Sequence, residues 1–366
     1  MSAPMAKPIC GSGKRVGEYD VGIHALGLVL VLVASIFGAG FPVAAKKIKW
    51  LKVPTKVFFA CKHFGTGVLI ATAFVHLLPT AWLSLSNPCL PDFFIVQYPP
   101  LPGIIMMASL FSLFVVEMWM NNKMGGHGHS HGGALGFEPA PEPTTAVSTV
   151  TPLRPQHSSG HDSFLSDEMT SEKEMAQSTQ AKDEVVVSEL ATWEVEGQLV
   201  DPLVYRKMNM NITLLEGGIL FHSVFVGITV SITIDGYIVL LIAILFHQVF
   251  EGLGLGSRIA AVPYKKGSLR PWLLVIAFGT TAPIGQAIGL GARNSYDPNS
   301  AFGLIIVGIF NAISSGLLIY AALVDLLAED FLSDESARVM TTKDKKIAFA
   351  YVILGAIGMS VIGAFA

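Results

Sequence analysis

A histidine and a glutamate, His247 and Glu251, lie four residues apart in an apolar stretch that runs from Tyr237 to Gly256. On a helix this spacing places both side chains on one face, one turn apart. An ionisable side chain at membrane depth is costly and by default marks an ion or substrate pathway. The residue types and their spacing therefore predict an ion-binding site inside a membrane helix.

A second histidine, His222, lies in the preceding apolar stretch, Ile212–Ile234, and Asp235-Gly236 joins the two stretches by a tight turn. The two helices are therefore expected to be antiparallel neighbours. At 1.5 Å per residue, His222 lies ~15 Å from the predicted start of its helix and His247 ~15 Å from the start of the next. Both imidazoles are predicted at the same depth, near the midplane of the bilayer.

Imidazole and carboxylate groups form a ligand set that suits zinc, iron(II) and manganese, and the lack of a nearby thiolate disfavours Cu(I). We predict that His222, His247 and Glu251 bind a metal ion. Ser223 and Gln248 are adjacent polar groups that either join the ligands or serve only in packing. A further candidate ligand, on the outer side of the site, is His76.

Alternating histidines occur in a separate polar tract, at His127, His129 and His131. Neutral imidazoles in a flexible tract suit zinc, nickel or copper, so a regulatory metal contact is one interpretation. The other is a solvated linker without a defined site.

The composition is that of a membrane protein. Of the 366 residues, 52% are hydrophobic and 14% are charged, whereas soluble domains have about 25% charged residues. The net charge of -3 gives no reason to expect a nucleic-acid partner. The first apolar stretch lacks a small-residue cleavage site and is expected to be retained as a membrane span.

Eight stretches are long and apolar enough to cross a bilayer as helices, since each is near the ~20 residues required. They are predicted, in order, at Val21–Ala45, Val57–Leu85, Ile104–Met120, Ile212–Ile234, Tyr237–Gly256, Pro271–Gly291, Ala301–Leu327 and Ile347–Ala366. These stretches are called spans 1 to 8 below.

Basic residues alternate between rich and poor along the loops that connect the spans, and the rich loops are expected to be cytosolic. Both termini then lie outside the cytosol, with residues 1–20 as an extracytoplasmic N-terminus. The spans fall into two sets, residues 21–120 and 212–366. Between them, residues 121–211 form a cytosolic histidine-containing loop that is rich in Pro, Ser, Thr and Glu and expected to be largely disordered. Cys10 and Cys89 are both predicted outside, where a disulfide is permitted.

Three motifs resemble those of one transporter family. Phe221–Gly227 (FHSVFVG) and Phe246–Gly256 (FHQVFEGLGLG) resemble the paired signature of the ZIP (Zrt-, Irt-like) metal transporters. Lys62–Pro79, which contains His76, resembles the second span of the fungal and plant branch. The resemblance extends over all eight spans and the histidine-containing loop.

The resemblance implies an all-α fold with inverted three-helix units around spans 4 and 5, elevator-like alternating access and a homodimer. It implies uptake of zinc, or of a related divalent ion, into the cytosol, most naturally across the plasma membrane, with no resident cofactor. By motif position, His222, His247 and Glu251 would be primary ligands, and Ser223, Gln248 and Glu251 would contribute to a second metal site. Some members have a carboxylate four residues after the span-4 histidine, where this chain has Val226.

Three alternatives are open. The transported ion is zinc, iron or manganese, because their preferred ligands overlap. A cation-efflux transporter also uses paired His and carboxylate groups, but typically has six spans and a cytosolic C-terminal domain. An intramembrane metalloprotease requires an HExxH helix, and His247–Glu251 reads HQVFE, without the second histidine. We therefore expect a transporter rather than an enzyme.

Overall fold

The computed structural model describes residues 7–11, 18–48, 53–123, 194–195, 198–200, 202–293, 297 and 299–365. Within these ranges the regular secondary structure is helical except for one pair of two-residue strands, and eight helices are long and apolar enough to cross a membrane. The predicted all-α, eight-span fold is confirmed. The spans are Val21–Lys47, Thr55–Leu85, Leu101–Asn122, Val204–Ile232, Tyr237–Ala261, Arg270–Ala292, Ala301–Arg338 and Thr342–Gly363.

Two spans contain π-helical segments. Span 2 consists of an α-helix, a π-helical stretch and a second α-helix: Thr55–Ala71, Thr72–Leu77 and Leu78–Leu85. Span 7 continues from an α-helix through a π-helical stretch into two short helices: Ala301–Tyr320, Ala321–Ala328, Glu329–Leu332 and Asp334–Val339. The remaining helices are Val21–Lys47, the π-helix Phe93–Gln97, Leu101–Lys123, Pro202–Ile232, Tyr237–Ala261, Arg270–Ala292 and Thr342–Gly363.

Several helix ends follow from local sequence. The Asp20 side chain accepts hydrogen bonds from the backbone N–H groups of Gly22 and Ile23, which caps span 1. Thr341 and Asp344 form a reciprocal capping box at the start of span 8. Between spans 4 and 5, Gly236 takes a φ of 68°, a left-handed conformation that glycine adopts without strain. These caps and this turn set where spans 1, 5 and 8 begin.

Two spans extend well beyond their predicted bounds, because span 7 continues to Arg338 rather than Leu327 and the span 4 helix begins at Pro202 rather than Ile212. The chain before span 4 forms a separate small unit, His127–Pro202. In the described part of that unit, strands Glu194–Val195 and Gln198–Leu199 pair antiparallel, with Glu194 opposite Leu199. The tract with His127, His129 and His131 lies outside the described residues.

Spans 1, 4, 5 and 6 pack together and are called the first group here. Span 1 packs along spans 5 and 6, and a methyl group at Gly38 would lie 3.0 Å from the carbonyl oxygen of Val249. Spans 4 and 6 approach as closely, since a side chain at Gly227 would overlap the backbone of Ala282. Small residues allow such backbone contacts between membrane helices.

Spans 2, 3, 7 and 8 form the second group. Span 2 packs along span 8, and spans 2 and 3 both pack along span 7. A side chain at Gly67 would overlap the backbone of Val352 in span 8, and one at Gly316 would overlap the backbone of Met106 in span 3. The two groups meet where span 2 crosses span 5, at Gly65 and Gly254, whose backbones touch, and where Phe225 of span 4 stacks on Phe310 of span 7.

A disulfide joins Cys10 to Cys89, the pairing that the predicted location of both cysteines outside permits. Lys7 and Asp92 form an ion pair close by, with Nζ and Oδ1 2.6 Å apart. The disulfide ties the segment before span 1 to the loop between spans 2 and 3. Because the number of spans is even, this end of the molecule also carries the end of span 8.

Candidate metal centre

Three histidine rings from three different spans form a nearly equilateral triangle. The ring centroids of His76 and His222 are 5.9 Å apart, those of His76 and His247 6.0 Å, and those of His222 and His247 5.9 Å. His222 and His247 belong to the first group of helices, whereas His76 belongs to the second. The structure thus brings together the two histidines of the spans 4 and 5 signature and the outer candidate.

The position of His76 depends on the π-helical stretch of span 2. The N–H of Leu78 bonds to the carbonyl of Ala73, an i to i+5 hydrogen bond that encloses His76 in a wider turn. The hydroxyl of Thr80 donates to the carbonyl oxygen of His76 at 2.6 Å. Single π turns occur frequently at functional sites, because they redirect side chains from the regular helical face.

His222 and His247 lie at matching depth, although span 4 begins earlier than predicted. Measured from the turn that joins the helices, His222 precedes Ile232 by ten residues and His247 follows Tyr237 by ten residues. Each histidine is therefore ~15 Å from its end of the helix. Their equal distance from the shared turn places the rings side by side.

Glu251 lies one helical turn from His247, on the side away from the turn between spans 4 and 5. Its Oε2 is 3.5 Å from His247 Nε2, and both side chains are fully buried. Both carboxylate oxygens of Glu251, and both ring nitrogens of His222 and of His247, lack a hydrogen-bond partner among the described residues. Buried polar atoms without partners are costly. Coordination of a cation would satisfy them.

The triangle is slightly wider than that of three rings bound to one ion. In a tetrahedral site, a zinc–nitrogen bond of about 2 Å would place three ring centroids roughly 5.2 Å apart. Among the described residues, no three His, Cys, Asp or Glu side chains are already gathered at metal-binding distances. The residue types suit a tetrahedral divalent ion, and the rings would have to move closer together to bind one ion in common.

The structure points Gln248 toward span 1. Its Nε2 donates a 2.8 Å hydrogen bond to the hydroxyl oxygen of Ser35, and both residues are fully buried. The amide oxygen of Gln248 and the hydroxyl of Ser223 have no hydrogen-bond partner. Sequence reasoning did not single out Ser35, because its pairing with Gln248 crosses 213 residues of chain.

Val226 lies one turn from His222 and packs in an apolar cluster. This cluster draws on spans 1, 4, 5 and 6, with Val31, Val226, Val230, Tyr237, Leu241, Ile244 and Ala282, and the tyrosine hydroxyl is its one polar group among the residues named. A carboxylate at this position would be surrounded by apolar groups. The surroundings of Val226 therefore suit its apolar side chain rather than a carboxylate.

An apolar layer separates the centre from a cavity at the opposite end of the molecule from the disulfide. In span 4, Ile219 and Leu215 precede His222 by one and two turns, and in span 5 Leu255 follows Glu251 by one turn; all three are at most 1% exposed. Beyond this layer lies a cavity of about 410 Å³. Its walls come mainly from spans 4, 5 and 7 and include Asn211, Arg258 and Asp325.

Two polar residues near this cavity were missed from the sequence. Arg258 follows the predicted end of span 5, but the helix continues to Ala261 and buries the arginine to 7% exposure. It pairs with Asp330, also buried, at 2.8 Å. No local pattern indicates this pair, because its members are 72 residues apart.

Comparison with known proteins agrees with the resemblance in the motifs. The profile of the family described as ZIP Zinc transporter matches residues 21–363. The chain is 33% identical to zinc-regulated transporter 2 of Saccharomyces cerevisiae, with 94% of each chain covered. It is 31% identical to zinc-regulated transporter 1 of the same yeast, over 95% of this chain and 89% of the relative. It is also 30% identical to Fe(2+) transport protein 2 of Oryza sativa subsp. japonica, over 98% of this chain and 91% of the relative.

Proposed function

Because this chain belongs to the ZIP zinc transporter family, we propose that it imports zinc through one centre formed by His76, His222, His247 and Glu251. The family assignment makes it an integral membrane transporter of divalent metal ions rather than an enzyme. The observation that supports this ligand set is the triangle of histidine rings with Glu251 beside it. Three imidazoles and one carboxylate complete a tetrahedral zinc site.

We propose that the centre holds one ion. A second site would need Ser223 and Gln248 together with a carboxylate one turn after His222. That position is Val226, which packs in an apolar cluster, so the carboxylate that such a second site would need is missing. Ser223 and Gln248 are then polar neighbours that shape the site rather than ligands of a second ion.

The distribution of the ligands over two groups of helices suggests how the ion moves. His222, His247 and Glu251 belong to the first group and travel together, whereas His76 remains with the second group. His76 is also the only one of the four side chains that is partly exposed. An ion arriving from outside would meet His76 first and would lose that ligand when the first group moves inward.

Binding requires neutral imidazoles and an ionised carboxylate, so zinc and protons compete for the same atoms. Acid on the outer side should therefore weaken zinc binding. Uptake measured at decreasing external pH should show a rising KM for zinc. A KM that is constant from neutral to acid pH would contradict ligand binding by these histidines.

We place the protein in the plasma membrane as a homodimer, with uptake toward the cytosol. The names of the yeast relatives as zinc-regulated transporters support zinc as the ion. Spans 3 and 8 have the least buried helical surface, at 17% and 22%, and both belong to the second group. Their exposed apolar faces suit lipid and a second copy.

The tract with His127, His129 and His131 would bind metal in a regulatory role.

Iron is the second candidate ion, because a relative of similar identity is named an Fe(2+) transport protein. Imidazole and carboxylate ligands serve both metals, so selectivity depends on geometry. Manganese is the further alternative on the same ground. Competition of labelled zinc uptake by unlabelled iron(II) or manganese(II) would rank the three ions.

Uptake of radiolabelled zinc into cells that express the full chain tests the proposal. The His247→Ala variant should lose saturable uptake while its surface abundance, measured by biotinylation, remains that of the parent. Ser360→Ala in span 8, which removes a hydroxyl bonded only to its own helix, is a matched control and should transport normally. Normal uptake by His247→Ala would refute the ligand assignment.

A further inference from the structure

Arg258 is a buried cation directly beneath the metal centre. It lies seven residues after Glu251, and Leu255 lies between them, so the three side chains follow one face of span 5. The rise per residue puts Arg258 ~10 Å from Glu251 along the helix. Arg258 lines the inner cavity and is 7% exposed. A positive charge at this place in a cation transporter needs a physical reason.

The partners of Arg258 all belong to the other group of helices. Its Nη2 donates to Asp330 Oδ2 at 2.8 Å and to Thr66 Oγ1 at 2.5 Å. Asp330 lies in the Glu329–Leu332 helix of span 7, and its second oxygen is 2.7 Å from Lys62 Nζ. His63 completes the surroundings, with Nδ1 3.8 Å from Asp330 Oδ2.

These bonds connect two groups of helices that carry different ligands of the same ion. Span 5 carries His247 and Glu251, while span 2 carries His76 together with Lys62 and Thr66. Next to the ion cluster, Gly65 and Gly254 bring the two backbones into contact. Spans 2 and 5 therefore also meet on both sides of this glycine contact. The histidine rings lie on one side of it and Arg258 lies on the other.

We propose that Arg258 and Asp330 are positioning residues of an inner clamp, which must open before the ion can leave toward the inner cavity. The inner clamp consists of Arg258, Asp330, Lys62 and Thr66. This inference rests on the proposed function, because it assumes that the two groups of helices move relative to each other during transport. In the structure the clamp is closed, and the apolar layer above it is intact.

The chemistry of the clamp suits a switch between two arrangements. Arg258 and Lys62 share a single carboxylate, so loss of Asp330 leaves two cations unpaired, one of them buried. Removing one partner of a buried pair is strongly destabilising, whereas replacing both by apolar groups of similar size is often neutral. A single and a paired substitution therefore separate loss of the clamp from loss of the fold.

Accessibility of the inner cavity tests the clamp. The reporter is Leu215→Cys, at a buried position that lines the cavity, in a Cys61→Ser background. Inside-out vesicles containing the full-length protein are labelled with a membrane-impermeant maleimide. In Asp330→Asn, and in Arg258→Met combined with Asp330→Leu, the labelling rate should rise about fivefold or more over the parent reporter. The maximal rate of zinc transport should change, while zinc binding at equilibrium stays that of the parent.

The exposed ion pair Lys207–Glu329 supplies the matched control. It lines the same cavity and also joins span 4 to the end of span 7, at 2.9 Å. Lys207→Gln with Glu329→Gln should leave labelling unchanged, since exposed pairs contribute little. Parent-like labelling in both clamp variants, or an equal rise in the control, would overturn the inner clamp. Retained zinc binding by His247→Ala would instead overturn the proposed centre, whatever the labelling shows.

Discussion

Span 5 carries two buried polar regions, the proposed metal centre and the proposed inner clamp, and their polar atoms differ in how they are paired. At the centre, the nitrogens of His247 and the oxygens of Glu251 have no hydrogen-bond partner. In the clamp, the terminal nitrogen of Arg258 is bonded twice and both oxygens of Asp330 are paired. Atoms that the protein leaves unpaired are available to a transported ion, whereas paired atoms hold the structure together.

The contrast predicts opposite effects on stability. Replacing Asp330 with Ala should lower the free energy of unfolding by about 3–5 kcal/mol, because it leaves the buried Arg258 without its counter-ion. The measurement is denaturant unfolding of the purified protein without added metal. A loss below about 1 kcal/mol would mean that the Arg258–Asp330 pair contributes no more to stability than an exposed ion pair does. The clamp and the centre would then not differ in their effect on stability.

Substitution at the centre should affect binding rather than folding. Glu251→Gln should weaken zinc binding by on the order of 100-fold or more, since losing even an indirect partner of a ligand costs roughly 10–100-fold. Its stability without metal should equal or exceed that of the parent, because the change removes a buried, unpaired charge. Equilibrium dialysis and unfolding on the same preparation measure both quantities, and a large loss of stability would contradict the prediction.

His76 should contribute less than the first-group ligands. It is partly exposed, so water can take its place as the fourth ligand of a tetrahedral ion. His76→Ala should raise the KM for zinc uptake by about tenfold, with a smaller effect on the maximal rate. Complete loss of uptake with normal surface abundance would show that His76 is as essential as His247.

The smallest effect is expected at Ser35. Ser35→Ala removes one hydrogen bond to Gln248 and should cost about 1 kcal/mol of stability. If Gln248 serves in packing, the variant should still bind one zinc ion per protein, and its affinity for zinc should change by less than about threefold. Binding of a second zinc ion per protein, or loss of such a second ion in Ser35→Ala, would assign Gln248 to a metal site.

The fold was largely predictable, because membrane spans depend on local properties. Apolar length alone placed eight spans, and all eight are present. Their ends were less predictable: span 4 begins at Pro202 and span 5 continues to Ala261, past the apolar stretches used to define them. Polar residues that continue a helix beyond its apolar stretch give no hydropathy signal. Arg258 was assigned to a loop for this reason.

The sequence by itself determined the depth of His222 and His247 and the shared face of His247 and Glu251. Helical periodicity and the distance from a common turn fix those relations, and both are local along the chain. Only the tertiary structure decided that His76 completes the triangle, that Gln248 turns to Ser35 and that Arg258 meets Asp330. These contacts depend on which helices pack side by side and on the π-helical turn of span 2. Lateral packing is set by small-residue contacts such as Gly65 with Gly254, whose pairing no local pattern specifies.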